Sequence, residues 1–261
     1  MDFSQLMGAG SWDGEAYHAD VPDSWLQGRT AYGGVSSAIC AEAAMRLVPD
    51  LPPMRSAQIA FLGPSGGSVR AFPQVVRQGK SATFVSVDLL NDGGLATRTL
   101  FVFGKARESE LKFLDHPFPD VPKLEDLEDE PPSPMRPGFL GNFDLRVAGG
   151  QPPFSGTDET TILWWGRHKD RVAEETQLRV LALGDLTPPG TLPMMKTLAP
   201  VSSVNWHFDL MTDDMTTEDG WYLLSTRAQS AGDGWSAQDM AMWASDGRPI
   251  AAGRQLVAIF A

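Results

Sequence analysis

The stretch LQGRTAYGGVSSAICAEAAMRLVPD, Leu26 to Asp50, reads as a helix of small side chains entered through a glycine pair. Ala38, Ala41, Ala43 and Ala44, with Ser36 and Ser37, give it a slim profile, and Gly33 and Gly34 let the chain turn sharply into it. A helix this thin suits a place where backbone closes around it. Its N-terminus presents unpaired N–H groups and a partial positive charge. With no Cβ at the glycines, a carbonyl oxygen of a ligand can approach those groups. The plainer alternative is a turn followed by a packing surface, without chemistry.

Downstream, four segments read as strands: SAQIAFLGP from Ser56, GSVRAFPQVVRQGK, SATFVSVDLLNDGG and LATRTLFVFGKA. Each is bounded by Gly, Pro, Asn or Asp, and several alternate apolar with polar residues, as antiparallel strands with one buried face do. NDGG at Asn91 is a hairpin signal. The segment from Phe113 to Phe139 carries seven prolines and a run of carboxylates, and reads as a solvated linker. The plan then recurs. GNFDLRVAGG and TTILWWGRHKD are strand-like, and AEETQLRVLALGDLTPPG is a helix stopped by Pro188-Pro189. APVSSVNWHFDLM, GWYLLSTRAQSAGDG, WSAQDMAMWASDGR and PIAAGRQLVAIFA are four more strands. Extended segment, helix, four strands: the order appears twice. The expected organisation is an N-terminal unit of residues 1–105, a linker of 106–138 and a C-terminal unit of 139–261.

The 261 residues suit one large or two small domains. A single cysteine, Cys40, excludes an internal disulfide. The N-terminus has neither a basic nor an apolar leader region, and no apolar run approaches a membrane span, so a cytoplasmic protein is expected. A net charge of −12 repels nucleic acid. The four histidines, His18, His116, His168 and His207, lack metal-ligand spacing, and no metal or cofactor is expected. GPSGG at Gly63 matches a nucleophile-elbow pattern, but a strand rather than a helix follows it. GAGSWDG at Gly8 lacks the preceding strand and the spacing of a dinucleotide site.

In order and spacing, AYGGVSSAICAEAA, AFLGPSGGSVRAFPQVVRQGKSATFVSVDLL and TRTLFVFGKA in the first half, with LALGDLTPP, VSSVNWHFDL and GDGWSAQDMAMWASDGRPIAAGRQLVA in the second, resemble the double-hotdog acyl-CoA thioesterases of the thioesterase II type. The resemblance implies an α+β double hotdog, two antiparallel curved sheets each wrapped around one helix. It also implies an acyl-CoA substrate, hydrolysis to free acid and coenzyme A, and at least a homodimer.

In that family an Asp, a Ser or Thr, and a Gln of the second hotdog orient one water. Carried over by position, the Asp site falls at Ser203, or Ser202 in a slipped register. The Ser/Thr site falls at Gln229 or Ser230, and the Gln site at Gln255. On this reading the carboxylate is missing, replaced by serine, which cannot take a proton from water near pH 7. Ser203, Asn205 and His207 alternate onto one strand face, so His207 is a candidate substitute base, against the alternative of an ordinary half-buried strand histidine. Asp185 reads as a helix-end group. Gly33 or Gly34 would polarise the thioester carbonyl. Arg77 and Lys80, at a hairpin, could meet a coenzyme A phosphate or be solvated. Trp164, Trp165, Trp206, Trp235 and Trp243 read as packing before they read as an acyl tunnel. Loss of the carboxylate leaves a rival of another class, a protein that binds acyl-CoA without turning it over; a third reading is a hotdog hydratase or dehydratase.

Overall fold

The computed structural model describes residues 1–131 and 136–260; residues 132–135, in the expected linker, and residue 261 lie outside the described residues. A helix not foreseen from the sequence, α1 (Phe3–Ala9), opens the chain, capped reciprocally by Asp2 and Gln5. Short strands follow, β1 (Ser11–Trp12), β2 (Tyr17–Val21), β3 (Leu26–Gln27) and β4 (Thr30–Ala31), and then the helix α2 (Gly33–Leu47). The four expected strands come next, β5 (Met54–Phe61), β6 (Gly67–Gln78), β7 (Ala82–Asn91) and β8 (Gly94–Gly104). The second half has β9 (Phe143–Gly149), β10 (Thr161–His168), α3 (Gln177–Gly184), β11 (Val201–Leu210), β12 (Tyr222–Gly232), β13 (Trp235–Ala244) and β14 (Pro249–Ile259).

Twelve of these strands form one antiparallel sheet in the order β1-β2-β6-β7-β8-β5-β11-β14-β13-β12-β10-β9. Counted outward from the centre, each half repeats one order: the strand after the helix, the last strand, the two before it, then the first two strands of that half. The repeat of architecture is therefore present. The expectation of two separate sheets is corrected, because β5 pairs with β11 from Ser56↔Asp209 to Ala60↔Asn205 and makes the sheet continuous. Both strands carry backbone groups that would otherwise be left at open edges, and pairing them satisfies both.

The helix α2 packs on β2, β6, β7, β8 and α3. Ser36, Ser37, Ala38, Ile39, Cys40, Ala41, Ala43 and Ala44 are all buried, so it has almost no solvent face. Neighbours this close on several sides leave room only for small side chains, and the alanine-serine run fits that constraint. The helix α3 is shorter than expected. It begins at Thr176, whose side chain caps the Arg179 N–H, and ends at Gly184, before Pro188-Pro189. At Gly184 a Cβ would lie 2.8 Å from the Phe208 ring, so close packing on β11 requires glycine there.

The described part of the linker is exposed along most of its length, as the solvated reading expects, but three of its apolar residues dock on the second half. Val121, Leu124 and Leu127 pack on a second apolar cluster formed by Ala148, Trp165, Trp221, Leu223 and Trp243. His116 stacks on Trp243 at 4.9 Å, and the Glu130 N–H donates to the Leu145 carbonyl on the outer edge of β9. The proline-rich segment thus covers tryptophans and a strand edge of the second half. Trp165 and Trp243 serve packing, Trp206 lies in the main core, and Trp235 is half exposed.

Ala38 is fully buried, so Ala38→Leu overfills the space between α2 and its sheet. Denaturant unfolding is expected to show a loss of about 1–3 kcal/mol or more. An unchanged midpoint would mean that the helix has slack around it.

Candidate active site

The C-terminal end of α3 meets the N-terminal end of α2. The Tyr32 hydroxyl, fully buried, donates to the Ala182 carbonyl at 2.8 Å. A Cβ on Gly34 would lie 2.2 Å from that same carbonyl oxygen, and a Cβ on Gly33 would lie 2.5 Å from Asp185 Oδ2. The glycine pair therefore admits the end of the other helix. The oxygen that reaches the start of α2 belongs to the Asp185 carboxylate.

Asp185 caps α3 and is set deep among protein atoms, yet an edge of it stays open to solvent. Its Oδ1 accepts from Gln255 Nε2 at 2.5 Å. Burial pushes its pKa up to about 7, against the opposing pull of the Gln255 amide and the Gly34 N–H. A carboxylate at that value is half ionised near neutral pH, the range in which a general base works best.

Gln255 is buried on β14. Its Oε1 accepts from Gln238 Nε2 at 2.8 Å and from the Ser203 hydroxyl at 3.5 Å. Gln238, fully buried on β13, accepts the Gly190 N–H at 3.0 Å. Close by in sequence, the buried hydroxyls of Thr187 and Thr226 lie 2.5 Å apart and tether the segment after Asp185 to β12.

Ser203 reaches this cluster because of a bulge. The register between β11 and β14 shifts between Ser203 and Asn205, so that Ser203 opposes Val257 and Trp206 opposes Gln255. One extra residue reverses the alternation, and Ser203 faces inward while Asn205 and His207 face out. The expectation that Ser203 and His207 share a face is thereby corrected. His207 is about half exposed, beside Ser56 and Asp209 at 3.1 Å each, outside the cluster. Ser202 is exposed.

A second bulge, between Ala228 and Ser230 on β12, takes Gln229 out of register, and both Gln229 and Ser230 are exposed. The structure does not bring them to Gln255. Arg77 and Lys80 are exposed too, at the β6–β7 end that lies against residues 48–52, just past the C-terminus of α2. A helix of 15 residues spans about 22 Å, which separates them from Gly33 within one chain.

A carboxylate lies beside Gln255, where none was expected. Asp185 does end its helix, as its position in LALGDLTPP suggests, and it also contacts Gln255. Positional carry-over looked for an acid on a strand, whereas the carboxylate beside Gln255 lies at a helix end. Gln238 was passed over, although its place in the alternating run WSAQDMAM puts an amide on the inward face with Met240 and Met242. Among the described residues no cluster of three or more His, Cys, Asp or Glu could hold a metal ion, and no helix is long and apolar enough to cross a membrane.

Residues 21–104 match the acyl-CoA thioesterase N-terminal domain, and residues 119–259 match the acyl-CoA thioesterase C-terminal domain. No curated protein sequence matches the chain. Among solved structures, a conserved protein of unknown function with a hot dog fold from Alicyclobacillus acidocaldarius is 23% identical, with a TM-score of 0.89 over 98% of this chain and 97% of that one. The acyl-CoA thioesterase II TesB2 from Mycobacterium marinum is 19% identical, with a TM-score of 0.77 over 98% and 97%. A tesB protein from Mycobacterium avium subs paratuberculosis is 14% identical, with a TM-score of 0.81 over 98% and 97%. At these identities the likeness concerns the fold.

The raised pKa of Asp185 has a stability signature. Below about pH 4 the group is protonated in both folded and unfolded chains and costs nothing. As pH rises toward 7 the unfolded chain releases the proton first, so the native protein loses stability, and above about 7 the loss is constant. Asp185→Asn carries no such charge. The melting-temperature difference, variant minus native, is expected to grow between pH 4 and 7 and then level off. A difference that is flat with pH would contradict a buried, neutral-range carboxyl.

Proposed function

The chain belongs to the acyl-CoA thioesterase family, and on that premise we propose that it hydrolyses an acyl-CoA thioester to a free acid and coenzyme A on a double hotdog scaffold. The observation that carries this reading is the meeting of Asp185, Gln255 and Ser203 at one place. These are an Asp, a Gln and a Ser, the three residue types that the resemblance implies. Asp185 is in reach of the Gln255 amide, and Ser203 of the same amide's oxygen.

In the proposed mechanism a water sits between the Ser203 hydroxyl, the Gln255 amide and the Asp185 carboxylate. Asp185 takes its proton as the water oxygen attacks the thioester carbonyl. The amide of Gly33, a part-exposed residue at the start of α2, polarises that carbonyl. The tetrahedral intermediate then expels the coenzyme A thiolate, which recovers the proton from Asp185. His207, Gln229 and Ser230 are not assigned a step. Arg77 and Lys80 remain proposed phosphate contacts, reached either by an extended coenzyme A or from the second subunit of a homodimer.

The rival of binding without turnover rested on the lack of a carboxylate near Gln255, and the position of Asp185 speaks for turnover instead. Thiol release from a panel of acyl-CoAs tests the reading. Asp185→Asn is expected to lower kcat about 100-fold or more, and Gln255→Leu and Ser203→Ala about 10-fold or more. Because only the ionised acid can take the proton, kcat/KM should rise with pH and reach a plateau above about 7. His207→Ala should leave both rate and profile unchanged. Full activity in Asp185→Asn, or a profile set by His207, would refute the assignment.

A further inference from the structure

Gln238 touches neither Asp185 nor the proposed water, yet it is fully buried and makes two directed hydrogen bonds. Buried amides are usually anchored, but here the anchor has a direction. The Gly190 N–H is a backbone donor and cannot turn round, so the group of Gln238 that meets it has to be the carbonyl oxygen. The Gln238 NH2 is then committed to the other side, where it meets Gln255 Oε1. Gln255 in turn has its oxygen engaged and points Nε2 at Asp185 Oδ1. Amide orientations are assigned from such networks, and this one ends on a group with no second choice.

Gly190 is held firmly. A Cβ there would lie 2.5 Å from the Thr160 carbonyl oxygen and 2.6 Å from the Ala228 nitrogen, so the residue is wedged against β12. The Thr187–Thr226 contact holds the same segment.

We propose that Gln238 is a positioning residue for the reaction: it fixes the Gln255 amide so that a donor, never an acceptor, faces Asp185. This rests on the assignment of Asp185 and Gln255 given above. Without Gln238, Gln255 is free to rotate its amide by half a turn. Its oxygen would then face the carboxylate, disfavour the ionised form and take away the partner that keeps Asp185 in place. Among the described residues, the titratable group that acts on Asp185 is the Tyr32 phenol at the N-cap of α2, which burial and the nearby carboxylate hold neutral.

Gln238→Met keeps the length of the side chain and removes both amide atoms. It is expected to lower kcat about 10-fold with KM changed less than about 3-fold, and to move the acid limb of the profile up by about one pH unit. Gln238→Glu introduces an acceptor on both sides, draws the Gln255 NH2 away from Asp185, and should move the limb further in the same direction. A readout without turnover accompanies these. In each background the melting temperature is compared with and without Asp185→Asn across pH 4–9, and the inflection reports the Asp185 titration. If either variant fails to fold, the other carries the test.

An inflection that stays at the native value in the folded Gln238 variants overturns the proposal, as does a kcat loss with an unmoved profile. A moved inflection in a protein that releases no thiol from any acyl-CoA would uphold the positioning role and defeat the thioesterase reading instead.

Discussion

Everything about the site follows from the contact of two helix ends. The end of α3 and the start of α2 approach so closely that two successive residues of α2 must be glycine: side chains there would collide with the Asp185 carboxylate and the Ala182 carbonyl. The Tyr32 hydroxyl ties the two ends together. That approach sets a carboxylate at the positive end of a helix dipole inside a protein interior. The two surroundings oppose each other. Burial disfavours the charge, while the amides of Gly34 and Gln255 favour it, and burial wins by enough to leave the group titrating near neutrality. A more generous set of donors would give an inert anion, and a drier site an inert acid.

The slim helix and the continuous sheet are the means of holding this contact. The helix α2 has to lie close to its sheet for its first turn to reach α3, and the alanine-serine run makes that possible. The β5–β11 pairing then fixes one half against the other, so the relation between the two helices is set by the ladder of backbone hydrogen bonds. Further ties join the halves. Ser4 on α1 donates to Asp170, and the Gln177 side chain bridges the backbone N–H and carbonyl of Met54. A buried, costly carboxyl is tolerable only in a frame that resists relaxing around it.

The strands were legible in the sequence because their signals are local. Glycine, proline and Asn-Asp turns bound each one, and alternation marks its faces. The doubled order of elements was legible for the same reason. What was not legible depends on relations between strands. Nothing in VSSVNWHF announces a bulge, since a bulge is decided by what the neighbouring strand offers, and it alone separates Ser203 from His207. Gln229 was misplaced for the same reason. That β5 and β11 would merge two sheets into one was equally hidden, as edge pairing leaves no mark on either strand. Asp185 was visible and correctly read as the end of a helix. The role proposed for it depends on Gly33, Gly34 and Gln255, which lie far away in the chain. Composition read the linker as solvated, and most of its described length is; what composition did not show is that Val121, Leu124 and Leu127 dock on the second apolar cluster.

The bulges also explain how a sheet with an apolar inner face comes to carry a polar cluster. An alternating strand delivers every second residue inward, and in β11 an unbroken alternation that placed Trp206 and Phe208 in the core would send Ser203 to the outer side with Asn205 and His207. The shift between Ser203 and Asn205 lets β11 keep its aromatic core residues and still turn a hydroxyl inward at its other end. On β13 and β14 no such device is needed, because Gln238 and Gln255 oppose each other directly on the inward face. Two facing amides in an apolar interior satisfy each other only in part, and each retains one group to be met. Gly190 meets one and Asp185 the other. The buried carboxylate is thus the terminal acceptor of a hydrogen-bond chain that starts on a backbone amide. Polarity runs one way along that chain, and it can be broken at Gln238 without touching the atoms assigned to the chemistry.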